Sequence, residues 1–179
     1  DSYMMRRLNL LSAVKALAAL KGEWPSPDRE VYIGVDFVSG DTYQICVGAG
    51  FPEAPKLAFI ERLKVPTTQL ESMFIEYSSE KSLVVCCGSW DSYTKAIARR
   101  NKISIHNFSI GRQMQSADLA LKRGRDKLLI SPRIEGFDVW DAPTLAEPYR
   151  AASMVFYAWE SAQSEQSDGG MEKEDEGLL

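Results

Sequence analysis

The sequence predicts an α/β domain built on a mixed sheet, with three antiparallel strands followed by parallel strands and helices on both faces. Three observations carry this. Two β-rich runs, Val31 to Phe37 and Thr42 to Val47, flank a turn at Ser39 and Gly40 and read as a hairpin. A third run, Lys56 to Leu63, follows Gly48, Gly50, Pro52 and Pro55 and completes an antiparallel meander. Ser82-Leu83-Val84-Val85-Cys86-Cys87 is short and wholly apolar, the mark of a central strand buried on both faces.

The elements follow in order. Leu8, Leu11, Val14, Leu17 and Leu20 recur at helical spacing, and Gly22 ends that helix. Trp24-Pro25-Ser26-Pro27 is a stiff connector, because each proline fixes its backbone and removes a donor. After the meander, Thr67 or Thr68 caps a helix reaching about Tyr77, with Leu70, Phe74 and Tyr77 on one side. Past the apolar strand come a helix over Ser92 to Arg100, a short strand over Ile103 to Ile105, a helix over Gln113 to Arg123, an extended piece over Lys127 to Ile130 and a last helix from about Pro148 to Trp159. Ser161 to Gly170 is rich in Ser, Gln and Gly, and the remainder is acidic, a composition that does not offset the entropy of ordering. The expected organisation is a helix and linker over 1–27, one domain over 28–160 and a disordered acidic tail over 161–179. A chain of 179 residues fits one such domain.

No apolar run approaches the roughly 20 residues of a membrane span, and no leader with a small-residue cleavage site is present, so the expectation is a soluble, intracellular-type protein. The three cysteines, Cys46, Cys86 and Cys87, sit in apolar strand-like surroundings and read as reduced core residues, with a metal-thiolate site as the minor alternative. The net charge of -4 hides an uneven distribution. From Glu160 onward there are seven acidic residues and one lysine, which leaves 20 Lys and Arg against 18 Asp and Glu in the rest. Ser92 to Arg133 carries ten basic residues against Asp118 and Asp126, a footprint suited to a polyanion or to a solvated helix face.

Asp36 interrupts the first strand run, where a carboxylate is unfavourable unless a cation, a metal or hydrogen bonds take up its charge. An inward Asp on a first strand followed by a hairpin suits two kinds of protein, ribonuclease H-like nucleases and actin-like sugar kinases. The kinases need a second phosphate loop in a duplicated half, which this length does not accommodate. The order of elements is that of a ribonuclease H-like fold, in which carboxylates from the first strand, the end of the fourth and a late helix converge on divalent metal. Mg²⁺ or Mn²⁺ takes hard oxygen ligands, and two ions about 3.5–4 Å apart clamp the attacking and leaving oxygens of a phosphodiester. Glu147, just ahead of Pro148, is the candidate third carboxylate, and a purely structural acid at a helix start fits the same place. His106, the only histidine, is a candidate for assisting proton transfer but reads more readily as a surface or packing residue.

From about Tyr32 to Trp159 the chain resembles the C-terminal nuclease domain of the large terminase subunit of tailed bacteriophages. Val31-Tyr32-Ile33-Gly34-Val35-Asp36 is similar to the family's opening strand with its first metal-binding Asp, and Asp41 falls near a second acid of that hairpin. Val84 to Trp90 resembles the family's strand, Asp, one residue and aromatic, leading into a helix. Phe108 to Ala117, leading into Lys122-Arg123-Gly124-Arg125, is similar to the segment that turns from strand to helix and then to a Gly-Arg connection. Glu147, with Ala151 and Met154 following, looks like the closing metal-ligand helix.

The resemblance implies a divalent-metal-dependent endonuclease that cuts concatemeric double-stranded DNA in the host cytoplasm. It implies Asp36, Asp91 and Glu147 as catalytic and metal-binding residues, with Asp41 as a further ligand, around a two-metal Mg²⁺ or Mn²⁺ site. Lys95, Arg99, Arg100, Lys122, Arg123 and Arg125 are the candidate DNA contacts. The implied partners are DNA, a terminase ATPase domain, the small terminase subunit and the portal, with no membrane. No phosphate loop of the Gly-x-x-x-x-Gly-Lys-Ser/Thr kind occurs, so the chain is expected to be the nuclease part of a longer protein. One departure stands out: Gly88 occupies the place of the family's second Asp, and Asp91, three residues on, is the nearest acid. The alternative reading is a catalytically weakened module of the same fold that binds DNA in a structural or regulatory role.

Overall fold

The computed structural model describes residues 30–39, 41–50, 56–78, 82–109, 111–130, 134 and 149–167. The expected N-terminal helix, Gly40, Glu147 with Pro148, and everything beyond Ser167 lie outside the described residues. The described residues form six strands: β1 (Val31–Ser39), β2 (Thr42–Gly50), β3 (Leu57–Pro66), β4 (Leu83–Gly88), β5 (Ser104–Phe108) and β6 (Leu128–Ile130). Four α-helices accompany them: α1 (Leu70–Ser78), α2 (Ser92–Arg100), α3 (Arg112–Arg123) and α4 (Arg150–Ser167).

The strands form one sheet in the order β5-β4-β1-β2-β3-β6. β2 is antiparallel to both β1 and β3, while β4 lies parallel to β1, β5 parallel to β4 and β6 parallel to β3. Among the described strands β2 alone therefore runs against the rest, as the predicted mixed sheet requires. Alternation along each strand feeds two cores. Val31, Ile33, Val35, Ile45, Val47, Leu83 and Val85 face α1 and α2, which contribute Leu70, Phe74 and Ile97. Tyr32, Cys46, Phe59, Val84, Cys86 and Phe108 face α3 and α4, which contribute Leu121, Val155 and Phe156.

Helix α4 lies close against β1 and β2. At Gly34 an added Cβ would overlap the Ala151 carbonyl oxygen, so only glycine lets the helix backbone approach this strand. A Cβ at Gly48 would stand 2.9 Å from the Val155 side chain, continuing the same close contact on β2. Full burial of Phe156 alone contributes about 1.5–3 kcal/mol relative to exposure.

Several boundaries differ from expectation for identifiable reasons. β3 continues to Pro66 because β2 supplies partners from Thr42 onward, so half-buried Arg62 and exposed Lys64 stay in the ladder. β5 reaches Phe108 because β4 pairs it as far as Gly88. Neither threonine side chain starts α1: a 3₁₀ turn over Thr67–Gln69 precedes the helix without a side-chain cap, and the Thr67 N–H donates to the Asp41 carbonyl at 2.6 Å. The folded part was expected to end at 160, yet α4 continues to Ser167.

Candidate active site

Asp36 sits near the end of β1, opposite Gln44 of β2, and is 5% exposed. Its position in the strand's alternation turns it to the α3 and α4 side, where a cleft of about 250 Å³ is lined by Asp36, Gly88, Trp90, Asp118, Arg150 and Met154 among others. The cleft opens at the carboxyl ends of the parallel strands β1 and β4, the usual place for ligand sites in such sheets. An inward carboxylate at the strand end is what the sequence predicted.

Gly88 closes β4 beside Asp36, and the Trp90 indole packs over it so closely that an added Cβ would overlap the ring. Trp90 is 47% exposed, so its ring has room to swing outward if a side chain were placed at 88. Phe37 stands edge-on to Trp90 at 6.5 Å and to Tyr43 at 5.2 Å, forming an aromatic rim at this end of the sheet.

Asp91 does not join Asp36. The turn at Ser89 and Trp90 carries the chain to the opposite face of the sheet, where buried Asp91 caps α2. Its Oδ1 accepts from the Thr94 N–H at 3.1 Å and from the Tyr43 hydroxyl at 3.0 Å, and its Oδ2 accepts from the Thr94 hydroxyl at 2.6 Å. Burial, opposed by the Thr94 hydrogen bond and reinforced by the Asp91 charge, pushes the Tyr43 phenol well above its ordinary value. The phenol therefore remains a donor to Asp91. Both oxygens of Asp91 are engaged in these hydrogen bonds, and Asp91 is not among the residues that line the cleft. Asp91→Ala is expected to lower stability by about 1–3 kcal/mol, through loss of the cap and of the Tyr43 hydrogen bond. Urea unfolding reads the loss, and Mn²⁺ titration of the same variant should show unchanged affinity.

Asp41 is exposed at the hairpin end, outside the cleft lining, where its carbonyl holds the turn into α1. The predicted DNA contacts divide between two helices on opposite faces. Lys95, Arg99 and Arg100 lie on α2; Lys95 Nζ donates to the Ser89 carbonyl near the cleft end, whereas Arg100 forms a two-pronged ion pair with Glu71 at 2.6 and 2.9 Å. That guanidinium, with Asn101, holds the Glu71 carboxyl below the usual carboxylate range. Lys122 and Arg123 close α3, roughly 6–8 Å beyond Asp118 at 1.5 Å per residue, and Arg125 follows in a 3₁₀ turn over Arg125–Lys127.

The cysteines are free and buried, as read from the sequence. Burial pushes the Cys46 and Cys87 thiols up to about 12, so both stay protonated at neutral pH. His106 is buried and stacks on Phe108 at 4.7 Å, with Tyr157 edge-on at 6.2 Å, a packing role.

The residue that sequence reasoning missed is Asp118. From α3 it reaches the same cleft as Asp36. Burial raises the pKa of its carboxyl, while Ser153 and the positive charges of Arg150 and Lys122 act in the other direction. In the sequence it stood among basic residues as one of two scattered acids, and only the docked face of α3, set by Ala117, Ala120 and Leu121, turns it inward. Among the described residues no three His, Cys, Asp or Glu side chains gather as a metal site.

No family model and no curated protein matches this sequence. Solved structures do match in fold. The large terminase of a thermophilic bacteriophage superposes with a TM-score of 0.51 at 7% identity, over 78% of this chain and 41% of that one. The large terminase nuclease of thermophilic phage G20c, with bound zinc, superposes with a TM-score of 0.50 at 14% identity, over 74% of this chain and 82% of that one. The chain thus spans about two-fifths of the whole terminase and most of the separate nuclease. Its fold is that of the large terminase nuclease, a ribonuclease H-like α/β domain, as the resemblance implied.

Proposed function

We propose that this domain is a divalent-metal-dependent DNA endonuclease of the packaging-terminase kind, acting on concatemeric double-stranded DNA in the host cytoplasm. The observation that carries the reading is Asp36: a carboxylate 5% exposed in a fully built sheet, opening into a cleft at the strand ends of a terminase-nuclease fold. Its hard oxygens suit Mg²⁺ or Mn²⁺, and Glu147 is the further ligand that the sequence implies. A bound ion there would polarise a phosphodiester and lower the pKa of a water molecule. The chain's own residues bound the cleft and, through Trp90 and Phe108, limit water on one wall. The ATPase domain, small terminase subunit and portal are the partners this reading brings with it. Supercoiled plasmid incubated with the domain and Mn²⁺ should be nicked, and EDTA should stop the reaction.

Gly88 favours a second reading, the weakened module, because that strand end offers no ligand. Plasmid that stays supercoiled at high domain and Mn²⁺ concentrations, with salt-dependent DNA binding retained, selects it.

DNA affinity should fall with salt by a slope of roughly -0.9 per phosphate neutralised. Neutralising Lys122, Arg123 and Arg125 together should reduce that slope by up to about three and weaken binding equally on unrelated sequences. An unchanged slope in a fluorescence-anisotropy titration puts the DNA on the Lys95 side instead.

A further inference from the structure

We propose that Asp118 supplies the carboxylate that the strand end at Gly88 lacks, so that one divalent cation is held by Asp36 and Asp118 while the Arg150 guanidinium takes the place of a second cation. The proposal rests on the metal-dependent nuclease reading and departs from the two-ion arrangement that the sequence resemblance implied.

Three observations converge on it. The first is the state of Asp118 itself. Its Oδ1 is sealed from solvent and has no hydrogen-bond partner among the described residues. A carboxylate oxygen removed from water without a donor is unfavourable unless a cation takes up its charge. The second is position. Asp118 enters the cleft from α3, Asp36 from β1 and Arg150 from the first turn of α4, so three separate elements bring the charged groups to one space. The nearer acid in sequence, Asp91, is committed to its cap on the other face.

The third is charge. Among the described residues the charged side chains that line the cleft are two carboxylates and one guanidinium, a net single negative charge. One divalent cation turns this into a single positive charge, which a phosphodiester's single negative charge balances. Two divalent cations would leave three positive charges on the same groups, with glycine where a bridging ligand would be needed. Arginine suits the vacant role: its planar fork donates two parallel hydrogen bonds to phosphate oxygens and keeps its charge at any working pH. It binds the phosphate and needs no ligand set of its own.

The test is Mn²⁺ binding to the intact chain, followed by calorimetry and electron paramagnetic resonance and run beside the plasmid assay. One Mn²⁺ per chain is expected. Asp118→Asn should weaken Mn²⁺ binding at least about tenfold, and Asp118→Glu, which keeps a carboxylate, should recover most of the affinity. Arg150→Ala should bind Mn²⁺ at least as tightly as the parent, since a positive charge has left the cleft, and should cut DNA at least tenfold more slowly. Circular dichroism and thermal unfolding confirm that each variant is folded. Two Mn²⁺ per chain in the parent, or unchanged affinity in a folded Asp118→Asn, overturns the proposal. A parent that cuts DNA while Asp118→Asn binds Mn²⁺ normally removes this inference and leaves the nuclease reading standing. A parent that binds one Mn²⁺ through Asp118 yet leaves DNA intact removes the nuclease reading and keeps the ligand assignment.

Discussion

Replacing Asp36 with Asn is expected to abolish Mn²⁺-dependent nicking of plasmid DNA and to leave thermal stability at or above that of the parent. The amide keeps the size of the side chain and one acceptor, so the packing of β1 on α3 and α4 is preserved. The negative charge is lost, and with it the hard anionic oxygen that a divalent cation takes as ligand. Removing one of two carboxylates from a shared cleft also relieves their repulsion, which is why the folded state should not suffer. Agarose-gel nicking and a thermal melt on the same preparation decide the matter. A large fall in melting temperature with undiminished cutting would make Asp36 a structural residue.

Gly34→Ala should have the largest effect on the fold. A single methyl group at this position meets the Ala151 carbonyl oxygen and, at 2.9 Å, the Ala151 carbonyl carbon and the Val155 Cγ2. Backbone atoms of a docked helix cannot turn aside as a flexible side chain does. Helix α4 has to lift from β1, loosening the packing of Val155 and Phe156 with it. The expected loss is about 3 kcal/mol or more, at the upper end of overpacking changes, or a fall in melting temperature of roughly 6–12 °C for a domain of this size. A melting temperature within a degree or two of the parent would show that the helix does not seat against β1 as described.

The parts of the fold that the sequence made legible are those governed by local rules. β1 and β4 are near-continuous apolar runs, and they proved to be the neighbouring central strands of the sheet. Asp36 was conspicuous because it broke such a run. The cap at Asp91 was hidden because closeness along the chain to the end of β4 carries no information about which face of the sheet the chain turns to. Its local signature, an Asp directly before a helix, is that of a cap, and the capping rule identifies it. Asp118 was not legible, since an isolated acid on a helix rich in Lys and Arg looks like a solvent-facing residue until the docked face of that helix is known. The division of the basic residues between two faces was hidden for the same reason.

The close seating of α4 on β1 and β2 also bears on how the chain acquires its structure. The two strands come early in the described sequence, between Val31 and Gly50, and the helix that covers them begins a hundred residues after the hairpin ends. Until Arg150 to Ser167 has been synthesised, one side of the sheet, with Tyr32, Cys46 and Phe59, has only α3 to cover it. Contacts of such long sequence separation make folding slow and leave sticky surface open to other chains meanwhile. Docking of α4 is therefore expected to come late in folding, and a chain interrupted before Arg150 should present a half-covered sheet face in place of a finished cleft.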